Sequence, residues 1–250
     1  MAGENIKEMS VVDHLSELRR RLIIIIVCVA VAAGLVYDKV DYLIKILMSP
    51  IAKFNLDLVY FSITEGFTTR MKISLFAGAM FVSPIILYQV AAFINPGLTK
   101  KEKRLLYKNL VFIIILLFAG MTFGYILLLP CTLSFLISYG QGYMTPLLLG
   151  STYFNFIGIF SFFIGVVFLI PYIIILLGKM SLLSSKKLRK WRRYIIIFTL
   201  TLEGLFIFNA GLVTCILAAA PVLILYEISI WIVYFAERRR LVKDKNKIQS

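Results

Sequence analysis

The chain has 250 residues, of which 60% are hydrophobic, and a mean hydropathy of +0.91, well beyond the roughly 45–50% apolar content of an average soluble domain. Only 16% of residues are charged, yet Lys and Arg outnumber Asp and Glu 27 to 13, so the basic excess sits in a few polar segments and points to membrane topology ahead of nucleic acid. The dispersed Cys28, Cys131 and Cys215 and the lone His14 leave no CxxC pair and no multi-histidine metal site, so no cofactor is expected.

Residues 10–21 predict an interfacial amphipathic helix, because Val11, Leu15, Leu18 and Leu22 recur at helical spacing, with Ser10 and Asp13 placed as a capping box. It continues into a first span at 22–37, about 24 Å long at ~1.5 Å per residue. Leu18 and the stems of the arginines before it supply the rest of a ~30 Å hydrocarbon core. No cleavable signal peptide is expected, since the apolar run begins only after Arg19-Arg20-Arg21 and has no clear small-residue cleavage site.

Residues 38–70 read as a structured loop, with an extended piece within Asp57–Thr64. A second span follows at 71–94, where Pro84 removes an amide donor and should kink the helix. Asn95-Pro96-Gly97 ends it. Thr99 and Glu102 have capping-box spacing and open a third span at 105–130, with room for a turn or two beyond. A fourth span, 153–177, contains Pro171, and residues 181–193 read as a short basic connector. The apolar stretch from Tyr194 to Ala236 covers 43 residues, too long for one crossing, and divides at Asn209-Ala210-Gly211 into spans at 194–208 and 212–236. The expected fold is therefore an all-α integral membrane protein of six transmembrane helices in a single domain, residues 1–250, with the last two helices forming a hairpin. Of the 27 basic residues, 22 lie in 1–21, 95–108, 179–193 and 237–250. The positive-inside rule places those segments and both termini in the cytoplasm.

Four blocks carry the polar information. In His14-Leu15-Ser16-Glu17-Leu18-Arg19-Arg20-Arg21-Leu22, Glu17 and Arg21 stand four apart. They can form a solvated helix pair worth about 0.3–0.5 kcal/mol, or Glu17 can face a cationic ligand. The second block holds Pro84, Tyr88, Gln89, Phe93, Pro96, Gly97, Leu98, Glu102 and Arg104. The third holds Thr64, Glu65, Phe67, Lys72, Ser74, Leu75, Phe76 and Gly78, and the fourth Ala219, Pro221, Leu225, Tyr226 and Glu227.

In this order the blocks resemble the TatC family, the polytopic subunit of the twin-arginine protein translocase. The match departs at Ala91, where a tryptophan is common, and at Leu169, where the family's F-E-x-P places a glutamate facing a concave hollow in the membrane. It departs again from Phe208 to Cys215, where only Thr214 keeps the polar class of the family's hairpin. Glu203 is an acid the family pattern does not require. It should face protein or water, partly replacing the carboxylate absent at Leu169 or contacting a partner helix.

The resemblance implies a concave six-helix fold in the cytoplasmic (inner) membrane of a prokaryote. It implies that Glu17 and Glu102 bind the paired arginines of a signal peptide, flanked by Arg19, Phe93, Pro96, Leu98 and Arg104. Glu65, Phe67, Lys72, Pro84, Tyr88 and Gln89 take structural or outer-face roles; from its own chemistry Lys72 either snorkels to the outer surface or, the preferred reading, pairs with Glu65. Glu203, Thr214, Cys215 and Glu227 are the residues expected to make polar contacts within the membrane or to partner helices, Glu203 on its own chemistry and not from the resemblance. The implied partners are twin-arginine precursors and TatA/TatB-type single-span proteins in homo- and hetero-oligomers, driven by the proton-motive force, with no enzymatic activity and no nucleic acid. A small-solute secondary transporter and an integral membrane enzyme are the alternatives. Repeated halves would mark the first, and a catalytic cluster near one interface the second.

Overall fold

The computed structural model describes residues 11–54, 56–139, 146–179, 185–206, 220, 223–235 and 237–238. Its helices are α1 (Val11–Tyr37), α2 (Val40–Met48), α3 (Glu65–Ile94), α4 (Lys100–Phe123), α5 (Leu129–Tyr139), α6 (Gly150–Lys179) and α7 (Ser185–Phe206), followed by α8 (Leu223–Phe235). Two short strands, β1 (Leu58–Val59) and β2 (Leu148–Leu149), pair in parallel, Leu58 with Leu148 and Val59 with Leu149. Among the described residues, four stretches are long and apolar enough to cross a membrane: Val12–Tyr37, Glu65–Gly97, Lys100–Ser138 and Gly150–Gly178.

The chain forms two compact units. The first takes in the described residues up to Ile115 together with Leu147–Phe162, and the second Leu116–Pro146 together with the described residues from Phe163 onward. In the first, α1 lies along α3. The approach is close because Gly78 has no side chain: a Cβ there would lie 2.7 Å from the backbone nitrogen of Ala33. Arg70 of α3 pairs with Asp41 of α2, and the Tyr153 hydroxyl donates to the Leu47 carbonyl at 2.7 Å, tying the start of α6 to the end of α2. Val40, Ile51, Ile73, Phe154 and Ile157 are among its buried apolar side chains.

In the second unit small residues again set helix spacing, as expected where lipid supplies no hydrophobic drive between helices. Gly120 meets Phe168 and Gly165, and Gly165 meets Met121 and Leu117. Leu188, Tyr226, Ile230 and Val233 form a buried cluster that joins α7 to α8. Ser229 donates to the Pro171 carbonyl at 2.8 Å, fastening α8 to α6.

Several boundaries differ from the sequence-based expectation. α3 begins at Glu65 and not near 71, so the last part of the expected loop is helical, and α3 stays helical through Pro84. The helix after Thr99 starts at Lys100, where the Thr99–Glu102 spacing puts it. It does not end at Pro130: a π-helical turn, Gly124–Leu128, leads directly into α5. Pro130 cannot donate to the carbonyl four residues back, and a locally widened turn absorbs that lost bond. Residues 185–193, read as part of a basic connector, form the first turns of α7. The extended piece expected before Thr64 is present as β1. Ser10 and the segment 207–219, with Phe208, Gly211, Thr214 and Cys215, lie outside the described residues, as do Pro221 and the side chain of Glu203.

Candidate functional site

The blocks around His14 and Tyr88 come together in the first unit, where α1 meets the end of α3. The spacing that puts His14, Glu17 and Arg21 on one helix face turns that face toward α3. Glu17 accepts from Arg21 through Oε1, at 3.0 Å from Nε and again from the terminal guanidinium nitrogen. Arg21 then donates to Gln89 Oε1 of α3 at 3.0 Å. One turn further along α3, Phe93 stacks on His14 with ring centroids 4.2 Å apart and planes 16° apart. The i,i+4 pair is therefore not a free surface pair. Both partners are about four-fifths covered, and the pair is anchored across helices.

Oε1 serves both contacts with Arg21, while Glu17 Oε2 is enclosed and has no hydrogen-bond partner among the described residues. Asn95 Oδ1, in the turn that ends α3, is likewise enclosed without a donor. Both atoms are acceptors, and an enclosed acceptor without a donor is costly.

From Asn95 the chain makes a 3-10 turn through Pro96 and Gly97, and Leu98 donates its amide to the Asn95 carbonyl at 3.1 Å. Thr99 follows, with Glu102 in the first turn of α4. Glu102 Oε2 accepts the Thr99 amide at 2.8 Å and the Thr99 hydroxyl at 2.9 Å. The carboxylate half of the expected capping box thus forms, while the hydroxyl serves Glu102 and leaves Glu102 Oε1 open. Tyr88 and Tyr107 approach with centroids 6.1 Å apart and link the end of α3 to α4. Arg19 and Arg104 are exposed, while Glu102, Pro96 and Leu98 are half-buried. The first two blocks thus share one end of this unit, and Arg21 and Asn95 join them; neither stood among the sequence-derived site residues. Arg21 lay within the first motif, and its distance from Glu17 was the signal available.

The remaining residues take other places. Glu65 is not paired with Lys72, as expected from sequence. Its carboxylate accepts the Ser151 hydroxyl at 2.6 Å, the Ser151 amide at 3.3 Å and the Phe61 amide at 3.1 Å, while Lys72 is exposed. Three donors fixed by nearby backbone outcompete a flexible ammonium free to extend into water. Glu227 of α8 pairs with Arg192 of α7 at 3.2 Å. Leu169 is buried, and its neighbours Phe168, Ile170 and Pro171 line a cavity of about 150 Å³ in the second unit, together with Phe198, Thr199 and Tyr226. That wall is almost entirely apolar.

Four stretches long and apolar enough to cross a membrane, among the described residues, define the class as a polytopic membrane protein. Residues 13–225 match the family model described as Sec-independent protein translocase protein (TatC). The TatC of Carboxydothermus hydrogenoformans is 33% identical over 239 residues, spanning 96% of this chain and 98% of that protein. Aquifex aeolicus TatC is 34% identical over 236 residues, covering 93% and 98%, and chloroplastic TATC of Pisum sativum is 35% identical over 232 residues, covering 93% and 66%. A crystal structure described as the twin arginine translocase receptor TatC superposes with a TM-score of 0.71 at 34% identity, covering 90% of this chain and 99% of that one. The chain belongs to the TatC family of Sec-independent protein translocase proteins.

Proposed function

We propose that this chain is the receptor subunit of a twin-arginine translocase in the cytoplasmic membrane of a prokaryote, binding the paired arginines of signal peptides on folded precursors. The observation that supports this reading is that Glu17 already holds a guanidinium, that of Arg21, through Oε1 alone, while Glu102, in the first turn of the helix that follows α3, holds Thr99 through Oε2 alone. A guanidinium presents a planar fork of donors that a carboxylate accepts in bidentate fashion, which an ammonium cannot reproduce. An incoming arginine competes with Arg21 for Glu17, and Gln89 retains Arg21 when it is displaced. Phe93, Pro96 and Leu98 supply apolar contact for the peptide beyond the arginines. Arg19 and Arg104, with Lys100, Lys101 and Lys103, repel any cation, so the few carboxylates beside them decide whether a guanidinium binds.

In this reading six helices span the membrane with both termini in the cytoplasm. α7 and α8 belong to the last two spans, and TatA/TatB-type single-span proteins assemble with the chain using the proton-motive force. Glu203, Thr214, Cys215 and Glu227 provide polar contacts toward those partners. Photo-crosslinkers at Glu17, Phe93 and Glu102 are expected to capture a precursor bearing Arg-Arg and to lose it when the pair is Lys-Lys. Equal capture of both precursors would sink the assignment.

A further inference from the structure

At the other end of α3 the chain exposes an apolar tip, and we infer that residues Tyr60–Ile63 form an interfacial anchor seated in the lipid headgroup region. Tyr60 is 70% exposed, Phe61 82% and Ile63 98%, and no residue between Leu58 and Thr64 carries a charge. Large apolar side chains held out from a folded segment mark a surface that is covered in use.

Several polar groups of the tip are satisfied from within. Glu65 Oε2 accepts the Phe61 amide at 3.1 Å, the Glu65 amide donates to the Ser62 carbonyl at 3.0 Å, and the Ser62 and Thr64 hydroxyls lie 3.0 Å apart. The same carboxylate accepts the Ser151 hydroxyl at 2.6 Å, which fixes the base of the tip. With these groups bonded inward and the apolar side chains outward, irregular backbone suits headgroup depth, where water reaches the remaining backbone groups, and not the hydrocarbon core.

The occupant follows from continuity with the helix. Ile63, Phe67, Met71 and Leu75 recur every four residues and are all exposed, so the tip prolongs an apolar stripe of α3, itself long and apolar enough to cross a membrane. The 30 residues of α3 rise about 45 Å, against about 30 Å of hydrocarbon and 40–45 Å with both headgroup layers. The Glu65 end of a spanning α3 therefore lies among headgroups, the depth that tyrosine and other aromatic side chains favour. This anchor rests only on α3 spanning the bilayer and does not require signal-peptide binding.

The test uses the full chain with Cys28, Cys131 and Cys215 replaced by alanine, carrying Phe61→Cys, Ile63→Cys or, as an exposed control in the preceding segment, Lys53→Cys. Each variant is labelled with bimane and placed in phosphatidylcholine–phosphatidylglycerol nanodiscs holding one copy. Lipid bearing a headgroup nitroxide is expected to quench the labels at 61 and 63 about threefold more than the label at 53, with the order reversed for aqueous iodide. Iodide quenching at 61 and 63 equal to that at 53 overturns the proposal. Because each disc holds one copy, a second copy cannot supply the shielding, so a patch that serves only as a contact between copies gives that overturning result.

Discussion

At the scale of single residues, the same side chains serve packing and recognition. Gly78 belongs to the block that includes Lys72 and Phe76, and its role here is spatial: a Cβ would meet the Ala33 nitrogen at 2.7 Å and its Cα at 3.0 Å. Backbone cannot rotate away as a side chain can, so α1 and α3 must separate to admit a methyl group. Gly78→Ala is expected to destabilise by about 1–3 kcal/mol and to lower the midpoint of thermal unfolding in detergent. Gly66→Ala, where nothing lies within 4 Å, should leave that midpoint nearly unchanged. Equal behaviour of the two variants would show that the α1–α3 approach is not what Gly78 maintains. Glu17 and Glu65 show how far composition alone could reach. Helical spacing made Arg21 a possible partner for Glu17, but nothing in the sequence pointed from Glu65 to Ser151, 86 residues away.

At the scale of elements, α7 shows most clearly why a boundary escaped the sequence. Its first turns carry Lys186, Lys187, Arg189, Lys190, Arg192 and Arg193. Cations at a helix amino terminus oppose the helix dipole, which argues for a loop there. α8 and the residues just after it supply what the sequence of α7 lacks. Glu237 accepts the Ser185 amide at 3.1 Å and its hydroxyl at 2.6 Å, Glu227 pairs with Arg192, and Tyr234 lies under Arg189 at 5.1 Å. The buried Tyr226 hydroxyl donates to the Leu188 carbonyl at 2.9 Å. Tyr226→Phe removes that bond at little change in volume and is expected to cost about 0.5–1.5 kcal/mol. The check is hydrogen exchange, which should quicken in Ser185–Arg193 while α1 stays as protected as before. Uniform acceleration across the chain would instead mean that Tyr226 supports the whole fold.

At the scale of the whole molecule, the distribution of basic residues carries the topological prediction. Lys53 and Lys101 lie in segments that the positive-inside rule assigns to opposite sides of the membrane. Single cysteines at these positions should react with a membrane-impermeant maleimide from opposite faces of intact cells, and a cysteine at Ser250 should behave like the one at Lys101. Labelling of position 250 together with position 53 would mean an odd number of crossings and would remove the six-span arrangement. The spacing of the motifs made the family legible, because His14–Leu22 and Pro84–Arg104 keep side-chain identity at fixed intervals. The helical conformation of residues 11–21, the start of α4 beside its Thr99–Glu102 cap and the strand before Thr64 were legible from local chemistry.

By itself the sequence determined what local interactions and solvent preference determine: that the chain is a membrane protein, where its long apolar helices lie, and which residue types could meet a cationic ligand. Tertiary structure decided the partners. It gave Glu17 to Arg21 and Gln89 together, Glu65 to Ser151 in place of Lys72, and the amino terminus of α7 to Glu237. The physical reason is that hydropathy and helical periodicity act over a few residues, whereas a carboxylate takes whichever donors the packed helices deliver, however far along the chain they arise.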